Sequence, residues 1–121
     1  RVGLIGGVRK IGKEIREEAA ENLPLQMHHF ATNKNRKWTP RFAEILREYG
    51  LNLDEAWNQE RLPQRGRHPD AYHEWVLEEM RKIDKKAKGN REVFLKLFEQ
   101  RVKQKVRENP AMLRKSYWEV R

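Results

Sequence analysis

Leu25-Gln26-Met27-His28-His29-Phe30 is the stretch on which the fold turns, and His68-Pro69-Asp70-Ala71-Tyr72-His73 answers it about forty residues later. All 4 histidines of the chain fall in these two clusters. Imidazole is the side chain that binds a metal or carries a proton near neutral pH. Leu23 to Phe30 is too brief for a helix and reads as the end of a strand, where neighbouring residues face opposite sides. One histidine of the pair can turn toward a metal while the other serves a separate task. The plainer alternative is a core histidine beside a surface one. In the second cluster, His68 and His73 would stand roughly 140° apart on a continuous helix, which argues against a simple metal face. Pro69 changes this by leaving His68 at the cap in a non-helical conformation, with His73 one turn inside. The plainer alternative here is a cap residue and a half-buried histidine.

Composition narrows the classes. The 121 residues make one domain with a modest core. Apolar and charged residues each account for 37%, which requires strongly two-faced helices. Lys and Arg outnumber Asp and Glu 27 to 18, a net charge of +9 that favours nucleic acid or another anionic surface as partner. The absence of cysteine excludes disulfide frameworks, cysteine zinc fingers and thiol nucleophiles. No apolar run approaches the ~20 residues needed to cross a bilayer, and Val2 to Val8 is too short and glycine-rich for a signal peptide. Gly3-Leu4-Ile5-Gly6-Gly7 lacks the spacing of a phosphate-binding loop. The chain begins at Arg1 without a methionine and reads as a fragment of something longer.

Outward from the histidines, residues 1–22 read as an N-terminal lead-in and helix, and 23–121 as the functional domain. Val8, Ile11, Ile15 and Ala19 recur at helical spacing, with Asn22 and Pro24 ending the run. Ala31 to Lys37 is a polar, basic loop. Thr39 then Pro40 predicts an N-cap and first helical position, with Phe42, Ile45, Leu46 and Tyr49 as the apolar face and Gly50 as the left-handed stop. Leu51, Leu53, Trp57 and Leu62 anchor a turn and a short strand around Asn58. Gln64 to Arg67 is a basic loop. Pro69 opens a helix burying Tyr72, Trp75, Val76, Met80, Ile83 and Ala87, and Gly89 closes it. Asn90 caps a further helix carrying Val93, Phe94, Leu97, Phe98, Val102 and Val106. Asn109-Pro110 predicts a last short helix ending near Tyr117 and Trp118. The chain is helix-rich with at most one small hairpin.

The blocks His28-His29-Phe30-Ala31-Thr32-Asn33-Lys34-Asn35, Trp38-Thr39-Pro40-Arg41-Phe42, Leu53-Asp54 with Asn58, and Gly66-Arg67-His68-Pro69-Asp70-Ala71-Tyr72-His73 occur in this order. Together they resemble the AHH family, a branch of the HNH/endonuclease VII superfamily of ββα-metal nucleases, typically C-terminal toxin modules of bacterial secreted effectors. The resemblance covers about residues 25 to 80. It implies a mainly α (α+β) fold, with a ββα-metal (His-Me finger) core whose short two-stranded hairpin is surrounded by helices. It also implies His28 as a metal ligand completed by His68 and His73, His29 as general base, and Asn58 as the residue that holds the strand–loop geometry or orients His29. The alanine that names the family is Met27 here, a change expected to alter only packing beneath the strand. A histidine usual just before the Gly-x-His-Pro block is Gln64 here, so its part in phosphate or metal binding does not carry over.

The chemistry agrees independently. Phosphodiester hydrolysis needs an activated water and relief of charge on phosphorus, and one divalent ion plus one imidazole supply both. Imidazoles suit Zn, Ni, Co or Mn better than Mg, which can still act through waters. Lys34, Arg36, Lys37, Arg65 and Arg67 flank the histidines and are expected to grip phosphates. Arg81 to Arg107 holds eleven Lys/Arg against three acids, an electrostatic track for a duplex. No recognition helix stands out. The leading expectation is a metal-dependent, sequence-nonspecific DNase. It would be delivered as part of a larger effector, act as an antibacterial toxin in the target-cell cytoplasm, and be countered by an acidic cognate immunity protein. The alternatives are a non-catalytic nucleic-acid-binding module with a structural zinc, or the same chemistry on RNA. No membrane partner is expected.

Overall fold

In the computed structural model of the protein, residues 25–63 and 68–119 are described. The helix expected over 8–22 and the loop Gln64–Arg67, with Arg65 and Arg67, lie outside the described residues. Strands β1 (Leu25–His29) and β2 (Gln59–Pro63) pair antiparallel, with His28 opposite Glu60 and His29 opposite Gln59. The hairpin is not joined by a tight turn. Helix α1 (Thr39–Arg47) and a 3-10 turn (Ala56–Asn58) are inserted between its strands. After β2 come α2 (Asp70–Ala87), α3 (Arg91–Phe98), a π turn (Glu99–Lys103), α4 (Gln104–Glu108), a second 3-10 turn (Pro110–Leu113) and α5 (Lys115–Glu119). The fold is therefore α+β and mainly helical.

Strand alternation gives β1 two different faces. Leu25 and Met27 are 60% and 49% exposed, whereas His28 is buried. Met27 thus lies on the open face and not beneath the strand, because a two-stranded ribbon with helices on one side leaves its other side to solvent. Thr39 also differs from expectation. The N-cap of α1 is Trp38, without a side-chain cap. The Thr39 hydroxyl instead accepts from the Asn35 amide (2.9 Å) and donates to the Thr32 carbonyl (2.8 Å). Asn35 Oδ1 does the capping work, accepting from the amides of Lys37 (2.8 Å) and Trp38 (3.0 Å). Pro40 sits in the first turn, Phe42, Leu46 and Tyr49 are buried, and Gly50 (φ +63°) supplies the left-handed stop.

Tyr72, Val76, Leu77, Met80, Ile83 and Ala87 form the buried stripe of α2, while Trp75 is only half-buried. Its C-terminus closes through two left-handed residues, Lys88 (φ +48°) and Gly89 (φ +84°), rather than through glycine alone. Asn90 then caps α3, accepting from the Val93 amide at 3.1 Å. Phe94, Phe98, Val102 and Val106 are all fully buried, although residues four apart drift by roughly 40° per step on an α-helix. The π turn between them removes that drift, since a wider turn brings each fourth residue back toward the same side. The last expected helix is in fact split. Asn109 makes no side-chain cap, the 3-10 turn buries Met112 and Leu113, and extended Arg114 precedes α5.

The C-terminal helices complete the core. Phe98 lies against Phe30 (ring centroids 6.4 Å) and Trp57 (4.9 Å), under the exit of β1. Outside this packing, Arg107 reaches both Glu60 and Glu99, and Lys103 donates to the Trp57 carbonyl at 3.1 Å. Phe98→Ala should destabilise the protein by about 3–5 kcal/mol. Val93→Ala, at a 37% exposed site, should cost under about 0.5 kcal/mol. Urea denaturation of both variants checks the contrast.

Candidate active site

The site begins where β1 ends. Asn58, with no exposed surface, spends its whole side chain on backbone: Oδ1 accepts from the Ala31 amide (2.8 Å), and Nδ2 donates to the carbonyls of Ala31 (2.8 Å) and Leu53 (2.9 Å). Its own carbonyl accepts from the Phe30 amide at 2.9 Å. Asn58 therefore fixes the path of the chain leaving the histidines. All its polar atoms are taken by backbone, so its place is in the scaffold rather than among reacting groups.

Behind the strand, His28 (1% exposed) meets the second cluster. His28 Nδ1 lies 2.8 Å from His68 Nε2, and the ring centroids are 4.6 Å apart. Tyr72, one turn into α2, donates to the Phe30 carbonyl at 2.8 Å and stands 3.4 Å from His28 Nε2. Burial pushes the Tyr72 phenol far above its ordinary range, so it stays protonated. With its single proton given to Phe30, the phenol offers a lone pair to His28. That arrangement favours a proton on His28 Nε2 and a lone pair on Nδ1, toward His68. The His73 ring centroid is 6.0 Å from that of His68. His73 Nδ1 is buried and has no hydrogen-bond partner among the described residues. Burial, and then the neighbouring His68, push the His73 imidazole down to about 4, against the pull of Asp70. Burial also lowers His68, opposed by a backbone hydrogen bond at Leu113. His68 sits just ahead of the helix, and the N-cap is Pro69 itself.

His29 turns the other way and keeps 23% of its side chain exposed. Its Nε2 is 3.5 Å from Asp54 Oδ1, which accepts from Asn33 Nδ2 at 2.5 Å. The loop between β1 and α1, whose Asn33 meets Asp54, carries Lys34, Arg36 and Lys37, all exposed. Lys37 Nζ lies over the Trp38 ring at 4.7 Å, and Trp38 Nε1 donates to Asp70 at 2.9 Å, tying α1 to the start of α2.

A profile of AHH, a nuclease family of the HNH/ENDO VII superfamily with conserved AHH, matches residues 12–109. The chain belongs to the AHH family. The match reaches beyond the motif blocks of residues 25 to 80 on both sides, and it takes in α3, the π turn and α4. A comparison with curated proteins gave no match, and neither did one with solved structures. This AHH domain is thus a nuclease whose substrate is nucleic acid. Among its described residues, no helix is long and apolar enough to cross a membrane.

Nucleases of this superfamily generally use a divalent metal. Among the described residues, however, no three His, Cys, Asp or Glu side chains are already arranged to hold one. Two ligands of a tetrahedral ion at ~2.0–2.1 Å are roughly 3.3 Å apart. The 2.8 Å between His28 and His68 is the spacing of a shared proton, so an ion would part the rings by about half an ångström. The donor set nonetheless fits a cation. Burial keeps His68 and His73 in the neutral form that metals bind, and His73 brings a buried nitrogen without a partner among the described residues. The sequence places Tyr72 only in the buried face of its helix and gives Asp54 no part in the site. Both lie inside the quoted motif blocks, but only the fold brings them against His28 and His29.

Asn58→Ala should destabilise the AHH domain by several kcal/mol, about 3 or more, by stranding buried backbone groups at Ala31 and Leu53; chemical denaturation measures it. His73 gives a pH signature. Its folded value of about 4 lies below the ordinary ~6.5, so the unfolded chain binds the proton more readily. Stability is then present above pH ~6.5 and is lost as pH falls toward 4, by up to about 3 kcal/mol. His73→Phe should flatten the difference in melting temperature between pH 7 and pH 4.5 relative to the native chain.

Proposed function

We propose that the protein is a metal-dependent, sequence-nonspecific DNA endonuclease acting as an antibacterial toxin. The observation that carries the reading is the contact of His28 Nδ1 with His68 Nε2 on the buried side of β1, while His29 faces the open side. A ligand and a base on adjacent strand residues divide the work of hydrolysis between two faces. His28, His68 and His73 would hold the ion. When bound, it would polarise the phosphoryl oxygen and shield developing charge. His29 takes a proton from water as the water oxygen bonds to phosphorus. The bond to the departing sugar oxygen breaks, and that oxygen takes up a proton. Lys34, Arg36 and Lys37 line the approach and attract phosphates, with Arg65 and Arg67 assigned the same task from the sequence.

The expected track from Arg81 to Arg107 divides in two. Arg101, Lys103 and Arg107 are engaged with Glu79, Glu99 and Glu60. Lys85, Lys86 and Lys88 crowd the far end of α2, roughly 20 Å from His73 at ~1.5 Å per residue. That distance supports contacts with a long duplex, and binding should weaken steeply with salt. A purely structural zinc would need a closed set of four ligands, and three imidazoles leave a position open for water or phosphate. That contrast favours the hydrolase over a non-catalytic binding module. An acidic immunity protein suits the +9 charge, and delivery within a larger effector suits a toxin module.

His29→Ala should lower plasmid cleavage by about 10²–10⁴-fold while leaving fold and bound metal unchanged. EDTA should stop the native chain, and Mn, Ni, Zn or Mg should restore it. Digestion of plasmid, single-stranded DNA and total RNA side by side checks the substrate. Cleavage confined to RNA would replace the DNase reading, and no cleavage with any metal would overturn the hydrolase.

A further inference from the structure

Asp54 is held more tightly than a surface carboxylate needs to be. Its amide donates to Asn52 Oδ1 at 2.8 Å, and its carbonyl accepts from Gln59 Nε2 at 2.6 Å. Gln59 is the residue directly opposite His29 in the hairpin. The Asp54 carboxylate accepts from Asn33 Nδ2 at 2.5 Å, and the same oxygen stands 3.5 Å from His29 Nε2. Asp54 therefore ties three segments together: its Oδ1 meets the loop after β1 and His29 itself, and its backbone carbonyl meets the strand partner of His29. Fixing a side chain that remains 68% exposed gains little stability. The arrangement makes sense if what it fixes is the imidazole.

We propose that Asp54 is a positioning residue that holds His29 through Nε2, leaving Nδ1 as the nitrogen that takes the proton from water. This rests on the reading of His29 as the general base. A carboxylate on one ring nitrogen selects the tautomer and stops rotation of the ring, so the opposite nitrogen keeps its lone pair aimed at the nucleophile. The 3.5 Å separation suits a pair that tightens when the ring becomes cationic during proton transfer. Asn33 fixes the carboxylate in turn, and Gln59 couples its backbone to the strand that carries His29.

The test compares the native chain with Asp54→Ala, Asp54→Asn and Asn33→Ala. Cleavage is followed under metal-saturating conditions, and the His29 tautomer is read from long-range ¹H–¹⁵N spectra of the metal-free protein. Asp54→Ala should lower kcat by about tenfold or more with KM nearly unchanged. Asp54→Asn, which keeps a neutral acceptor, should recover part of the rate. The denaturation midpoint should stay where it was in both, and Asn33→Ala should show a smaller loss of the same kind. The His29 spectrum should move from an Nε2–H form to a mixture in Asp54→Ala. An unchanged kcat, or an unchanged tautomer, overturns the proposal. If the native chain cleaves nothing, the hydrolase reading falls instead, and the spectrum alone decides the part played by Asp54.

Discussion

Three hydrogen bonds from one buried amide hold this structure to its purpose. Asn58 sits where the exit of β1, the loop at Leu53 and the entry to β2 converge, and it satisfies backbone groups of Ala31 and Leu53 that no neighbouring strand can reach. A two-stranded ribbon interrupted by a whole helix has no tight turn to set its register. The side chain of Asn58 does that work from inside. Once Ala31 is fixed, so is the path of Phe30, and the alternation of β1 then sends His28 inward and His29 outward. The two histidines acquire different chemistry from position alone.

Burial decides what each can do. On the inner face, loss of water holds His68 and His73 neutral, and the protonated Tyr72 phenol favours a lone pair on the His28 nitrogen that faces the second cluster. Neutral imidazoles brought this close are awkward neighbours. His28 and His68 face each other at 2.8 Å, where a single proton or a cation can sit between the two nitrogens. On the outer face, His29 keeps contact with solvent and gains a carboxylate. One strand thereby separates a histidine shut away from water from one that meets it.

Much of this was legible in the sequence, for physical reasons. The buried stripes of α1, α2 and α3 follow from 3.6-residue periodicity, and Gly50 and Asn90 mark their boundaries because few other residues tolerate those positions. The clustering of histidines reflects a true convergence, since His28 and His68 touch. Other features depend on contacts that spacing cannot express. Nothing in the order of residues says which side of a two-stranded ribbon will be covered, so Met27, expected beneath the strand, lies on the open face instead. Thr39 has the composition of a cap, yet the neighbouring loop claims its hydroxyl. The helix expected after Asn109 breaks because Met112 and Leu113 are drawn into the core, a demand that outweighs the local preference to continue. Tyr72 and Asp54 act through partners distant along the chain and are visible only once folded.

The π turn at Glu99–Lys103 carries a further consequence. Such a turn is one residue longer than the α-helical path it replaces, so excising a single residue there would restore ordinary winding. Val102 would then follow Phe98 by three residues, about 60° out of line with it on an α-helix, and the run of buried positions would lose its even spacing at that point. The extra residue is thus what lets Phe98 and Val102 share one side of the core, so the length of this segment matters as well as its composition.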